Sequence, residues 1–207
     1  MPELSTILLF LSAALVLFLI PGPVVLYTVA RTISQGRRAG LVSVLAATVG
    51  DLTQVLAATA GLAALLASSP LAYQAVRYAG AAYLVYLGVR TWISRPALSH
   101  GPAVEARALN TIFRQGVAVA MLNPRAALFL LSFLPQFVRL ERGTPALQTL
   151  ILGVLFVLLG MAMNSLWVFG ASVATRLVSR PHHVGSAGAA LAGGVYVALG
   201  LVSAFTG

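Results

Sequence analysis

Asp51 is the residue whose position demands the most explanation. It stands in an apolar run spanning about 40–66, while the other acids, Glu3, Glu105 and Glu141, fall outside such runs. In a helix starting at Gly40 it would lie about 17 Å along the axis, near the middle of a bilayer. A carboxylate there costs at least about 2.5 kcal/mol, so a partner, a water cavity or a proton must offset it. A carboxyl held between those states can load and release a proton. One that is permanently paired with Arg, or that caps a neighbouring helix, is structural.

Arg125 is the matching cation, inside the run 114–134. Its fork of donors suits Asp51 or the carboxylate of a substrate. The alternative is an arginine that snorkels along its own helix to the surface. Asn164 is polar but cannot titrate. Thr48 and Gln54 flank Asp51 three residues to either side, and either lines a path or bonds across helices. Asn123 precedes Pro124, and Pro21-Gly22-Pro23 interrupts the first apolar run. Two prolines and a glycine break a helix. Within a bilayer a break survives only where protein or a water-lined cavity covers its freed backbone groups. These two breaks, at Pro21, Gly22, Pro23 and at Asn123, Pro124, are candidates to line a substrate path.

The elements that must position these groups are membrane helices. Of 207 residues, 59% are hydrophobic and 8% charged, against roughly 25% charged in a soluble domain. The mean hydropathy is +0.96. Six segments are long enough to cross a bilayer: about 4–30, 40–66, 71–92, 114–134, 147–170 and 186–205. The sequence thus predicts an all-α membrane protein of six transmembrane helices, with broken helices in the first and fourth spans. It forms one integral transporter domain: a first repeat over about 4–92, a cytoplasmic linker over about 93–113 and a second repeat over about 114–205. A signal peptide ending at Pro21 fits poorly, because the region before the apolar run holds Glu3 and no Lys or Arg.

The net charge of +9 comes from 13 basic residues, all Arg. Arg31, Arg37, Arg38, Arg90, Arg95, Arg107, Arg114, Arg176 and Arg180 gather at the first, third and fifth connections. Arg77, Arg139 and Arg142 lie at the second and fourth. By the positive-inside rule the odd connections face the cytoplasm and both termini the periplasm. That placement accounts for the charge without nucleic acid. With no Cys, disulfides, thiol catalysis and thiolate metal sites are excluded. His100, His182 and His183 lie in connections with no ligand spacing, so neither metal nor cofactor is expected. No histidine neighbours a nucleophile in the spans and no carboxylates pair, which argues against an enzyme.

A shift of 113 residues superimposes Gly40 on Gly153, Asp51 on Asn164, Gly80 on Gly193 and Tyr83 on Tyr196. A separate shift places Pro23 on Pro124. Three spans per half would make the second half enter the membrane in the opposite sense. Inverted repeats of this kind build secondary transporters with a midplane site between the halves. Accidental similarity in an Ala/Leu/Gly-rich chain is the competing explanation.

The chain resembles the LysE/RhtB family of bacterial amino-acid exporters (lysine, homoserine and threonine efflux). The resemblance rests on Pro21-Gly22-Pro23, Gly36-Arg37-Arg38-Ala39-Gly40, Gly50-Asp51, the run from Gly80 to Gly88, the run from Leu122 to Phe129, and Phe133-Leu134-Pro135-Gln136-Phe137. It implies a six-span efflux protein of the bacterial inner membrane, driven by proton antiport. It also implies that Pro21, Gly22, Pro23, Asp51, Asn123 and Pro124 belong to the transport core. Two positions depart from the family: Val24 stands where many members have Asp or Asn, and Arg125 where Lys is frequent. The first removes a polar group and disfavours a cationic substrate. The expected activity is secondary export of a small amino acid or derivative, a neutral one above all, with substrate, protons and the lipid bilayer as partners. The rival is a channel or passive pore for small polar solutes or ions. One Asp per chain would give such a pore a charged ring only in a homo-oligomer, a state the sequence leaves open.

Overall fold

The computed structural model describes residues 2–69, 71, 75, 106–139, 141 and 143–178. The third and sixth predicted spans, most of the linker, the three histidines, and Gly80, Tyr83, Gly193 and Tyr196 of the repeat lie outside the described residues. Six α-helices make up most of the rest: α1 (Leu4–Leu19), α2 (Pro23–Gln35), α3 (Arg37–Ser68), α4 (Leu109–Met121), α5 (Pro124–Phe133) and α6 (Pro145–Val178). A short 3₁₀ turn, Leu134–Phe137, follows α5. No strand occurs among the described residues.

By length and composition, α3 and α6 can each cross a membrane. The α1–α2 pair is bent by 52° and the α4–α5 pair by 42°, each across a short break. The chain therefore repeats one order of elements, a bent pair followed by a long straight helix. Three helix bounds differ from the hydropathy reading. α4 begins at Leu109 rather than near Arg114, so the end of the predicted linker is helical. α3 and α6 both run past the apolar stretches at 40–66 and 147–170. Hydropathy falls at polar flanks such as Asn110, Thr111, Arg37 and Arg176, but a helix ends only where its backbone ladder does.

Proline and glycine set the joints. Pro23 and Pro124 occupy the first turns of α2 and α5, where a missing N–H costs nothing because that donor has no partner in the helix anyway. α2 ends at Gly36, whose φ of 82° turns the chain straight into α3 at little steric cost.

Close contacts fix the helix directions. A Cβ on Gly40, early in α3, would meet Val168, late in α6. One on Gly153, early in α6, would meet Val55, late in α3. α3 and α6 are therefore antiparallel. The two contacts are also reciprocal, since Gly153 and Val168 stand 113 residues after Gly40 and Val55. Gly116 abuts Ala46, and Gly50 abuts Ala120 and the Val117 carbonyl, so α3 and α4 run parallel at van der Waals separation. Small residues permit such approach between apolar helices.

The two ends of the bundle differ. At one, Phe10, Phe129, Phe133, Phe137 and Phe156 form a continuous aromatic cluster, with ring centroids 4.8 Å apart for Phe129–Phe133 and 5.4 Å for Phe129–Phe156. At the other, polar groups join α2 to the start of α4. The Gln35 amide donates to the Arg107 carbonyl (2.7 Å) and accepts from the Arg107 N–H (3.0 Å). Arg31 donates to Gln115 (3.2 Å), and Arg37 lies over the Phe169 ring of α6 at 4.1 Å. The first connection and the ends flanking the third and fifth thus lie together at one end.

Candidate functional site

Each break frees backbone carbonyls that would otherwise continue a helical ladder. At the first, the Arg125 Nη1 of α5 donates to the Ile20 carbonyl at 2.8 Å. The Trp167 indole N–H of α6 donates to the Phe18 carbonyl at 3.4 Å. At the second, one amide group serves three carbonyls: Gln54 Nε2 of α3 lies 2.8 Å from the Ala120 oxygen, 2.9 Å from that of Met121 and 3.2 Å from that of Asn123. Asn123 then caps α5, its side-chain oxygen accepting from the Arg125 backbone N–H at 3.2 Å, as favoured cap residues do.

The breaks face each other across a cavity. Its walls are Leu17, Phe18, Ile20, Gly22, Val24, Val25, Asp51, Asn123, Arg125, Ala126 and Asn164. Four of its polar residues therefore come from three helices and one break: Asp51 from α3, Arg125 from α5, Asn164 from α6 and Asn123 from between α4 and α5. The cavity measures about 30 Å³, room for about one water molecule. An amino acid does not fit, so this is a closed arrangement.

Asp51 is 4% exposed and Asn164 3%. Asp51 Oδ1 and Asn164 Oδ1 are buried without a hydrogen-bond partner among the described residues. Two acceptor oxygens thus line the cavity with no donor satisfying them, a costly state for buried polar groups. Arg125 shares the cavity but forms no ion pair with Asp51 among the described residues; its recorded side-chain bond is to the Ile20 carbonyl. Gly22 is where close approach requires glycine: a Cβ there would lie 3.3 Å from Arg125 Nη1.

Of the residues singled out from the sequence, Asp51, Arg125, Asn123, Asn164 and Gly22 meet at this cavity. Pro21, Pro23 and Pro124 stand at the breaks that bound it. Thr48 and Gln54 are not among its walls. The Thr48 hydroxyl donates to the Val44 carbonyl of its own helix at 2.9 Å, and Gln54 reaches the end of α4. Sequence reasoning missed the apolar wall (Leu17, Phe18, Ile20, Val24, Val25, Ala126) and Trp167. Their identities are those of ordinary membrane-helix residues, and only helix rotation reveals where they face. Among the described residues, no three His, Cys, Asp or Glu side chains group as a metal would need.

The sequence model of the LysE type translocator matches residues 15–206. This chain belongs to that family. The LysE-family chain is 28% identical over 191 residues to the leucine efflux protein of Klebsiella pneumoniae, covering 92% of this chain and 90% of the relative. It is 29% identical to the leucine efflux protein of an Enterobacter species, covering 91% and 90%. With that of Salmonella typhimurium it shares 25% identity, covering 91% and 89%. No solved structure matches this LysE-family chain. Its apolar helices, in a family of efflux transporters, make it a multi-pass membrane protein.

Proposed function

We propose that this chain is a secondary active exporter of a neutral amino acid with an apolar side chain, leucine or a close analogue, driven by proton antiport across the bacterial inner membrane. The observation that carries the reading is the cavity between the two breaks. A zwitterion needs acceptors for its ammonium group, donors for its carboxylate and a wall for its side chain. Asp51 Oδ1 and Asn164 Oδ1 supply unpartnered acceptors. Arg125 supplies a permanent cation with donors in a planar fork. Leu17, Phe18, Ile20, Val24, Val25 and Ala126 supply an apolar wall. The printed names of the relatives support leucine as the first substrate to test.

Each bent pair is read as one broken span, and the two halves as inverted repeats: about 4–92 and about 114–205, joined by a cytoplasmic linker. The reciprocal contacts of Gly40 with Val168 and Gly153 with Val55 support this, as do the antiparallel α3 and α6. Both termini are then periplasmic, and the end holding Gln35, Arg37 and Arg107 faces the cytoplasm.

In this cycle the halves part on the cytoplasmic side and the substrate enters with Asp51 ionised. Its ammonium group takes the two acceptors and its carboxylate takes Arg125. After the halves rock outward, a proton from the periplasm neutralises Asp51 and the substrate leaves. Return inward releases the proton to the cytoplasm. The closed cavity argues against a static pore.

The test is efflux of labelled leucine from proteoliposomes under an imposed pH gradient. Wild-type efflux should accelerate when the receiving side is acidic, and Asp51→Asn should lose that acceleration. An Asp51→Asn variant with unchanged rate and pH dependence would remove Asp51 from coupling, and absence of saturable flux across an amino-acid panel would overturn the export reading.

A further inference from the structure

We infer that Gln54 is a positioning residue: it holds the second break in register so that Asn123 caps α5 and Arg125 reaches the cavity. Its amide nitrogen faces the three carbonyls of Ala120, Met121 and Asn123. A carboxamide has two N–H hydrogens, so at least one is shared between oxygens. Gln54 Oε1, by contrast, is buried with no partner among the described residues. A buried orphan acceptor is unfavourable. It is tolerated here because the same group's nitrogen closes carbonyls that the break would otherwise leave unpaired in an apolar setting. Gln54 therefore acts as a donor and is not a wall of the cavity.

The seam beneath it explains the reach. Gly50, one turn earlier on α3, lets the last turn of α4 approach until a Cβ would sit 2.9 Å from the Val117 carbonyl and 3.0 Å from the Met121 nitrogen. The same seam fixes Asp51, next in sequence, relative to Asn123 and Arg125. The arrangement also has a counterpart. Trp167 stands 113 residues after Gln54, and its N–H donates to the Phe18 carbonyl near the end of α1. At equivalent positions, each long helix clasps the opposite broken pair.

The inference rests on the export reading for its transport readout, and a second readout needs no substrate. Full-length protein is reconstituted and efflux of leucine compared with that of leucinamide, which lacks the carboxylate. Gln54→Met and Gln54→Glu keep the length but lose the donors; Gln54→Lys keeps donors and loses the acceptor. The Met and Glu variants should lose about tenfold in preference for leucine over leucinamide, as Arg125→Gln does. Combining Gln54→Met with Arg125→Gln should add little, and Gln54→Lys should retain the preference. A merely structural role would lower yield without moving that ratio. An unchanged ratio in Gln54→Met, or a Gln54→Lys variant that behaves like Gln54→Met, overturns the inference.

The second readout uses the absence of native cysteine. With Ala126→Cys as reporter, labelling by a water-soluble thiosulfonate should run about fivefold faster in Gln54→Met than in the parent, and at the parent rate in Gln54→Lys. If the parent moves neither leucine nor leucinamide, the export reading fails and this arm alone decides: equal labelling rates in parent and Gln54→Met overturn the role of Gln54. If Gln54→Met does not fold, Gln54→Glu serves in both readouts.

Discussion

The two breaks occupy corresponding places in the chain and are held in different ways. The second is closed by a neutral amide from α3, through three contacts outside the cavity. The first is closed by the guanidinium of Arg125, which also lines the cavity, and by one long contact from Trp167. Nothing that enters the cavity competes for the Gln54 amide. A carboxylate in the cavity would compete for Arg125 with the Ile20 carbonyl, and an ionised acceptor makes the stronger hydrogen bond. The difference makes the second break a fixed frame and the first a contestable latch. On the export reading, α1 is then the element that substrate binding can release.

The largest effect should come from breaking the latch itself. Arg125→Gln removes the cavity's cation and weakens the hold on Ile20. Hydrogen bonds to charged groups contribute about 1.5–3 kcal/mol, so leucine efflux at low concentration should fall by about 10- to 100-fold. Arg125→Lys keeps the charge but not the planar fork and should fall between. Initial rates in proteoliposomes at matched protein levels measure this. Wild-type rates for Arg125→Gln would mean the guanidinium serves only the break.

Next comes a contrast between glycines. At Gly50 an added Cβ meets the Val117 carbonyl and the Met121 nitrogen, backbone atoms that cannot swing aside. At Gly22 it meets Arg125 Nη1 at 3.3 Å, the end of a flexible side chain. Gly50→Ala should therefore destabilise by about 1–3 kcal/mol, the usual cost of overpacking, and lower the unfolding temperature in detergent by several degrees. Gly22→Ala should leave that temperature nearly unchanged and slow efflux only a few-fold. Equal shifts for both would show the second break to be no stiffer than the first.

Much of the candidate site could be read before the structure, for a physical reason. Polar groups inside apolar spans are expensive, so Asp51, Asn123, Arg125 and Asn164 announce themselves by type and depth alone. The breaks announce themselves through proline. The partners of those groups do not. Three residues along a helix turn 300°, leaving Gln54 and Thr48 each about 60° from Asp51 on opposite sides. That suffices to send Gln54 to the end of α4 while Asp51 faces the cavity. The same rotation hides Trp167, which as a residue type reads as packing or interface. The bent pairs followed by long helices were foreshadowed by the repeat, because Gly40/Gly153 and Asp51/Asn164 mark equivalent contacts and equivalent depth. Helix ends were misjudged at Leu109 and Val178, since hydropathy registers the bilayer and helices outrun it.

The smallest effect should be at Thr48, and it tests whether proximity to Asp51 in sequence carries function. Thr48 is half-buried, and its hydroxyl donates to the Val44 carbonyl one turn back. Serine and threonine in helices often satisfy themselves this way. That carbonyl already accepts within the helical ladder, so its extra bond adds little. Thr48→Val preserves shape and β-branching while deleting the hydroxyl. If the cavity seen in the closed state contains the whole polar site, Thr48→Val should change leucine efflux by less than about twofold and leave the response to a pH gradient intact. A tenfold loss would mean that parting the halves rotates α3 enough to bring Thr48 onto the path. The second break would then move as well, and the contrast between frame and latch would fail at the helix that supplies Gln54.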